Sequence, residues 1–222
     1  MQKIKDHFIN KQLTISKNWL KFAALGIIFF VGFVGFTYLV NKNYLTSLDF
    51  DMTVKLQDQI PFRLDGFFSA LSVLGRFEYT LAVLIGILIW RRRIFGIIPF
   101  FLFGAAHIIE LIFKNMIEHA GPPQMFLRSH FGDFPGLHVF TDGSYPSGHS
   151  MRAVFMSIVI SYLIYGIHKL PKTVRLLIFA GIFGLLFIIL LSRVSLGEHW
   201  TTDVIGGSLL GASIAFIALI FL

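Results

Sequence analysis

Long apolar runs, separated by short polar stretches, dominate the sequence. Six of these runs approach the roughly twenty residues that a helix needs to cross a bilayer core of about 30 Å. They cover residues 22–40, 76–90, 94–113, 151–167, 176–191 and 204–222, and the second begins earlier if the stretch 67–74 also enters the membrane. The pattern predicts an all-α integral membrane protein, with a tail over 1–21 and a six-transmembrane-helix bundle over 22–222.

Composition supports a location in the membrane. Hydrophobic residues make up 55% of the 222 positions and charged residues 14%, whereas a typical globular domain has about 25% charged residues. This much apolar surface cannot be buried inside one compact domain of this size, so lipid must cover much of it. The chain has no cysteine, which excludes disulfides, thiolate metal sites and cysteine nucleophiles.

The distribution of Lys and Arg predicts the orientation of the bundle. Basic residues are concentrated in the tail 1–21, in the turn 91–93 and between 169 and 175, all on one side of the predicted bundle. The positive-inside rule then places both termini in the cytoplasm. The loops predicted to face the extracytoplasmic side are 41–75, 114–150 and 192–203. We therefore interpret the net charge of +7 as an orientation signal, and we expect no nucleic-acid partner.

The N-terminal tail lacks the pattern of a cleaved signal peptide. About twenty polar residues precede the first apolar run, and no small-residue cleavage site follows that run. We therefore expect the tail to stay on the cytoplasmic side of the cell membrane.

The tetrapeptide PSGH at 146–149 opens the fourth apolar run. Pro146 can start a turn, Ser147 is a good helix N-cap, and Gly148 allows a ligand to approach the backbone closely. His149 then falls in the first turn of the helix. Free backbone N–H groups and the positive end of the helix dipole make this turn a candidate anion site. A capped helix with an interfacial histidine is the structural alternative.

The stretch SRVSLGEHWTTD at 192–203 joins the fifth and sixth runs. His199 and Asp203 are four residues apart and share a face if the sixth helix starts near His199. The carboxylate would then fix the imidazole tautomer and leave the other ring nitrogen available for attack. Arg193 offers a planar, permanently charged group suited to phosphate oxygens. The alternative is an interfacial histidine paired with an Asp cap. Tyr145 and Trp200 are interpreted as interfacial anchors.

A metal site is the competing chemical interpretation. Histidines 119, 149 and 199, together with Asp203, could supply the three or four ligands that zinc requires. However, the sequence has no HExxH motif and no close pair of histidines on one predicted helix. Lys114 and Arg193 would also repel a metal ion but attract a multiply charged anion. We therefore expect no metal and no cofactor.

These residues resemble the signature motifs of a known family. Lys114, the PSGH tetrapeptide and the pattern Ser192-Arg193-x5-His199-x3-Asp203 are similar to the three motifs of the type-2 phosphatidic acid phosphatase superfamily, the membrane lipid phosphate phosphatases. The second and third motifs are complete, and the resemblance covers about residues 60–220.

The first motif departs from the family pattern of Lys, six residues, Arg and Pro. Lys114 and Pro122 fit, but Gly121 stands at the arginine position. We predict that Arg128, in the same outward loop, substitutes for this phosphate-binding cation, ahead of His119 and Arg152.

The resemblance implies a mechanism for these residues. His199 would attack phosphorus and form a phosphohistidine, Asp203 would hold its ring, and His149 would act as general acid and then as base. The phosphate-binding groups implied are Lys114, Arg193, Ser147 and Gly148.

The resemblance also implies an activity. The enzyme would hydrolyse a phosphomonoester or diphosphate headgroup on the extracytoplasmic side, for example of phosphatidic acid, phosphatidylglycerol phosphate or undecaprenyl diphosphate. Its partners would be this lipid phosphate and the bilayer, from which the lipid tail would enter sideways. Two alternatives stay open: a lipid phosphotransferase of the same superfamily, and a catalytically silent lipid-binding relative.

Overall fold

The computed structural model describes residues 16–91, 97–128 and 143–222, and all regular structure in these ranges is helical. Eight α-helices follow one another along the described chain. They are α1 (Trp19–Asn41), α2 (Thr46–Gln59), α3 (Asp65–Ser72), α4 (Phe77–Arg91), α5 (Ile97–Met116), α6 (Gly148–Tyr165), α7 (Lys172–Ser195) and α8 (Thr201–Leu219). Short 3-10 turns lie at Phe62–Leu64, Val73–Gly75 and Gln124–Phe126. The prediction of an all-α protein is confirmed.

Some predicted features fall outside the described residues. These are residues 1–15 of the basic tail, residues 92–96 with the start of the third predicted span, and residues 129–142 of the 114–150 loop.

Four of the described helices, α1, α5, α7 and α8, are long and apolar enough to cross a membrane. A fifth span results if the segments Phe62–Gly75 and Phe77–Ile87, bent by 48° relative to each other, count as one broken span. The predicted fourth span corresponds to α6, which does not pass the same test because polar residues, including Arg152, occupy its N-terminal turns. The chain is therefore helical with four or five candidate spans, and the prediction of six spans is not confirmed.

Helix α8 is the centre of the bundle. Within its most apolar window 72% of the residues are buried, compared with 6% in α7. It packs most extensively against α6 and next against α1. By contrast, α7 exposes large apolar side chains such as Leu176, Leu177 and Phe187. An apolar helix with so many exposed apolar side chains is typical of a surface that lipid covers.

Two glycines of α8 bring the two sequence motifs together. A Cβ atom at Gly207 would overlap the carbonyl oxygen of Ser147, and one at Gly211 would overlap that of Met151. Small residues at a helix–helix contact let the backbones approach closely. The N-termini of α6 and α8 are therefore adjacent, and the N–H of Ser147 donates to the carbonyl of Asp203 over 3.0 Å.

Tyr145 is a core residue, which corrects its interpretation as an interfacial anchor. Its side chain is fully buried, and its hydroxyl lies 2.8 Å from Thr37 Oγ1. Because Thr37 donates to the carbonyl of Phe33 over 2.7 Å, the tyrosine hydroxyl is the donor to Thr37. Burial raises the pKa of Tyr145, so the phenol stays protonated. Trp200 makes a different contact, since its Nε1 donates to the carbonyl of Ala120 over 2.8 Å.

Candidate active site

A cavity of about 520 Å³ lies where several helix ends meet. The start of α4, the second half of α5, the start of α6, the end of α7 and the loop before α8 all contribute. Its ionisable lining residues are Arg76, Lys114, Arg152, Arg193, Glu78, Glu110, Glu198, His107, His149 and His199. So many ionisable groups in an apolar bundle are costly to bury, which marks a concave site of this kind as a candidate for function.

His199 lies two residues before the start of α8 and contacts Asp203 in the first turn of that helix. Its Nδ1 is 3.2 Å from Asp203 Oδ2, and the same oxygen accepts the N–H of Trp200 at 2.9 Å and the hydroxyl of Ser144. Because an ionised carboxylate only accepts, we assign the proton of the neutral ring to Nδ1. Nε2 of His199 therefore keeps its lone pair, as a nucleophile requires.

The environment of His199 favours the neutral ring. Burial lowers the pKa of His199, the hydrogen bond and the charge of Asp203 raise it, and the charges of Arg193 and Lys114 lower it again. The result is a pKa below the ordinary value, so the ring is neutral near neutral pH.

His149 and Gly148 form the first turn of α6 and line the same cavity as His199. Arg152, one turn further along α6, places Nη2 3.4 Å from His149 Nδ1 and donates from Nε to the carbonyl of Gly75 over 2.8 Å. The ring of His149 also packs on Gly75, because a Cβ there would lie 3.1 Å from His149 Cδ2. Arg152 and Gly75 thus hold the ring of His149 in place.

Ser147 is a helix cap, which corrects its prediction as a phosphate ligand. Its side chain is fully buried and accepts the N–H of Ser150 at 3.4 Å and the Ser150 hydroxyl at 3.1 Å. Its own N–H is bound to Asp203, and it is not a lining residue of the cavity. The good N-cap predicted from the sequence is what its side chain provides.

Carboxylates contact the cations of the cavity. Glu110 Oε1 lies 3.2 Å from Lys114 Nζ, and Oε2 lies 3.6 Å from Arg152 Nη1. A Cβ at Gly148 would overlap the Glu110 carboxylate, so the close approach predicted at this glycine is made by a side chain of the protein. An acidic group therefore contacts the same cations and the same helix end that would bind an anion.

Arg193 is buried in the last turn of α7. Its Nη1 donates to the hydroxyl of Ser72, and its Nη2 forms an ion pair with Glu198. Its Nε is buried and has no hydrogen-bond partner among the described residues. Arg193 thus offers the cavity its charge, while Nε itself has no exposed surface.

Arg128 lies elsewhere, which corrects the prediction that it replaces the motif arginine. Its guanidinium donates to Asp65 Oδ2 and to the carbonyls of Gln57 and Ile60, each over 3.0 Å, and stacks on the ring of Phe62 at 3.9 Å. These contacts fasten the segment between α2 and α3, away from the cavity lining. The arginine that lines the cavity on α6 is Arg152.

Several lining residues were not identified from the sequence. His107 and Glu110 share one face of α5 with the predicted Lys114 inside an apolar run, and this helical spacing of polar residues is a signal that the sequence does contain. Arg76 lies at the bend before α4 and Glu78 in the first turn of that helix, and no pattern in the sequence connects them to the other motifs.

No group of three or more His, Asp or Glu side chains in the described ranges is arranged to hold a metal ion. His119, proposed above as one ligand of a zinc site, instead contacts two carboxylates. Its Nε2 lies 3.4 Å from Asp203 Oδ1 and 3.7 Å from Asp49 Oδ2. Burial raises the pKa of Asp49 above its ordinary value, and hydrogen bonds from Thr202 offset only part of this rise.

Comparison with known proteins identifies the family. The model of the PAP2 superfamily matches residues 95–222, more than half of the chain. The chain belongs to the PAP2 superfamily. It is 30% identical to phosphatidylglycerophosphatase B of Bacillus subtilis (strain 168) over 155 residues, which are 67% of this chain and 70% of that protein.

Two solved structures share the fold of this PAP2 protein. The first transmembrane PAP2-type phosphatidylglycerolphosphate phosphatase from Bacillus subtilis superposes with a TM-score of 0.70 at 23% identity, covering 87% of this chain and 94% of that one. LpxE from Aquifex aeolicus superposes with a TM-score of 0.56 at 21% identity, covering 78% and 94%. The family and the apolar helices together support a multi-pass membrane phosphatase.

Proposed function

We propose that this PAP2 protein hydrolyses the phosphomonoester or diphosphate headgroup of a membrane lipid through a phosphohistidine. The observation that carries the proposal is the meeting of His199, oriented by Asp203, with His149 and the cations Lys114 and Arg193 at one cavity. The relative named phosphatidylglycerophosphatase B makes phosphatidylglycerol phosphate the first substrate to test.

In the first step, Nε2 of His199 attacks phosphorus in line. A P–N bond forms while the P–O bond to the leaving group breaks, and protonated His149 gives its proton to the leaving oxygen. Asp203 stabilises the positive charge that develops on the ring of His199. Lys114 and Arg193 stabilise the charge on the equatorial phosphate oxygens, which is the main task in phosphoryl transfer.

In the second step, water attacks the phosphohistidine. His149, now neutral, takes a proton from the water as the P–N bond breaks, and inorganic phosphate leaves. His199 returns to the neutral ring held by Asp203. Neither step uses a metal ion, because fixed cations bind the transferring group.

Arg152 takes the role first predicted for Arg128. A guanidinium only donates, so its contact with Nδ1 requires the neutral ring of His149. Protonation of His149 for the first step ends that contact. The Nη2 group of Arg152 then becomes available to the incoming phosphate. Protonation of His149 therefore favours phosphate binding, and phosphate binding favours protonation of His149.

A groove beside the cavity supports sideways entry of the lipid tail. It has a volume of about 260 Å³ and is lined mostly by apolar side chains of α4, α6 and α7, such as Val83, Met156 and Ile189. Arg152 lines both the groove and the cavity. A tail in the groove would therefore lie next to a headgroup in the cavity.

Phosphate release from a panel of lipids tests the proposal. Purified protein in detergent is incubated with phosphatidylglycerol phosphate, phosphatidic acid or undecaprenyl diphosphate in the presence of EDTA. We expect release that survives chelation and disappears in His199→Ala, whereas His168→Ala, an exposed histidine between α6 and α7, serves as the matched control. Loss of activity in EDTA would indicate a metal enzyme, and labelled phosphate on a second lipid would indicate a phosphotransferase.

A further inference from the structure

Asp203 has a second histidine beside it, His119, which approaches the carboxylate oxygen that His199 does not contact. His119 follows α5, and only 11% of its side chain is exposed. Its Nε2 lies 3.4 Å from Asp203 Oδ1, 3.7 Å from Asp49 Oδ2 and 3.3 Å from Thr202 Oγ1. These partners belong to α8 and α2, so His119 joins two helices on the side of Asp203 opposite the nucleophile.

The two oxygens of Asp203 have different surroundings. Oδ2 binds Ser144, Trp200 and His199, as described above. Oδ1 is buried and makes no hydrogen bond of ordinary geometry within the described ranges, and His119 is its ion-pair partner there. A buried carboxylate oxygen without a donor is costly. The hydroxyl of Thr202 donates to Asp49, so the single N–H of His119 Nε2 donates to Thr202 Oγ1. A positive charge on this ring, rather than a hydrogen bond, is therefore what stabilises Oδ1.

Asp49 supplies a second negative charge beside the same imidazole. Thr202 donates to both of its oxygens, from its N–H over 2.8 Å and from its hydroxyl over 2.7 Å. Asp49 and Asp203 are thus both buried at the N-terminus of α8, facing one histidine. An imidazolium between two buried carboxylates restores the balance of charge that such a pair lacks.

We infer that His119 is a positioning residue for the nucleophile: its imidazolium forms an ion pair with Asp203 Oδ1 and with Asp49, while its Nε2 N–H donates to Thr202 Oγ1. It acts on His199 through Asp203, because a charge that partly neutralises this carboxylate makes the ring of His199 less basic. The catalytic consequence rests on the proposed function of His199.

The test compares two substitutions that separate the hydrogen bond from the charge. His119→Gln keeps a donor without a charge, and His119→Ala removes both. In each variant Asp203 acts on His199 with its full charge, while Arg193, Lys114 and His149, which also face His199, are unchanged. We therefore expect the midpoint of the acidic limb of the kcat/KM pH profile to shift to higher pH by about one unit. This is the low end of the shift that one nearby charge produces.

The rate at neutral pH supplies the second readout. His119→Ala removes both the ion pair to Asp203 Oδ1 and the hydrogen bond to Thr202. The carboxylate of Asp203 is then poorly held, so this variant should lower kcat and leave KM unchanged. His119→Gln should have a kcat close to that of the wild type, but its pH profile should be shifted as in His119→Ala. His168→Ala is the control for removal of an imidazole outside the site.

The outcomes separate this inference from the proposed function. If the wild type releases no phosphate, or His199→Ala remains active, the proposed function is wrong. If those two behave as proposed but both His119 variants keep the wild-type limb, the role of His119 is wrong. Should His119→Ala fail to fold in detergent, His119→Gln still decides the question, because it retains the donor.

Discussion

At the scale of single residues, the hydrogen bonds to Asp203 decide which nitrogen of His199 can act. The N–H of Trp200, the hydroxyl of Ser144 and Nδ1 of His199 all point to Oδ2. The carboxylate therefore caps α8 and orients His199, the proposed nucleophile, with the same atom. A substitution that disturbs the cap also disturbs the chemistry, and Ser144 joins the site although no family motif contains it.

The pH dependence of the wild-type enzyme follows from the environment of His199. Burial lowers the pKa of this ring, so His199 stays neutral at pH values where an ordinary histidine, with a pKa of about 6.5, is half protonated. We expect the acid limb of kcat/KM, which reports the free enzyme, to have its midpoint below that value. Lys114→Met removes a positive charge that lowers the pKa of His199, so the acidic limb should shift to higher pH. A wild-type midpoint above the ordinary value would contradict the assignment.

Arg128 and Arg152 should respond to substitution in opposite ways. Arg128→Met leaves the fully buried Asp65 without its cation, so we expect a loss of stability of about 3 kcal/mol, with KM unchanged in the folded fraction. Arg152→Met should raise KM, because Arg152 lines the cavity. Thermal midpoints in detergent and initial rates with a single lipid phosphate distinguish the two. A raised KM in Arg128→Met would restore the original prediction for that residue.

At the scale of helices, the site depends on how closely α6 and α8 approach. The motif with His149 begins α6, and the motif with Asp203 begins α8. Their N-termini meet because glycines of α8 touch the backbone of α6. Cations from α5 and α7 then reach the same cavity, so each part of the site comes from a helix end that packing holds in place.

Gly207→Ala tests this close approach. The added Cβ would overlap the carbonyl oxygen of Ser147, so α6 must move away from α8, and a strained core contact of this kind costs about 1–3 kcal/mol. We expect a lower thermal midpoint and a lower kcat. Gly35→Ala on α1 is the matched control, because nothing lies within 4 Å of its added Cβ. Equal effects of the two substitutions would show that the close contact does not matter.

At the scale of the whole molecule, the positive charges and the four or five candidate spans together define a topology to test. We propose that both termini are cytoplasmic and that the cavity opens on the extracytoplasmic side. The loop between α1 and α2 and the loop between α6 and α7 then lie on opposite sides of the cell membrane. This arrangement requires α6 to cross the membrane, although its N-terminal turns are polar.

Single cysteines can measure this topology, because the chain has none of its own. Tyr44 and Lys169 are exposed residues in the two loops. With a membrane-impermeant maleimide applied to intact cells, we expect labelling of Tyr44→Cys and none of Lys169→Cys, while both react after permeabilisation. Labelling of both in intact cells would mean that α6 does not cross, and labelling of Lys169→Cys alone would reverse the orientation.

Local features of the chain were predictable from the sequence alone. The apolar runs predicted the helices, and the spacing of four placed His199 beside Asp203, even though α8 begins only at Thr201. The cap by Ser147 was predictable for the same reason. Each of these depends on residues within one or two turns of each other, whose separation the backbone geometry determines.

Only the tertiary structure decided which distant residues share the cavity. The sequence favoured Arg128 over Arg152, assigned Tyr145 to the membrane surface and gave no indication that His119 meets Asp49. These contacts depend on how helices rotate and approach one another, and here that is determined by glycines of α8 and by the bend before α4. Side chains far apart in sequence meet only after such packing is complete. The pairing of His199 with Asp203 was therefore determined locally, and the charges around it by the fold.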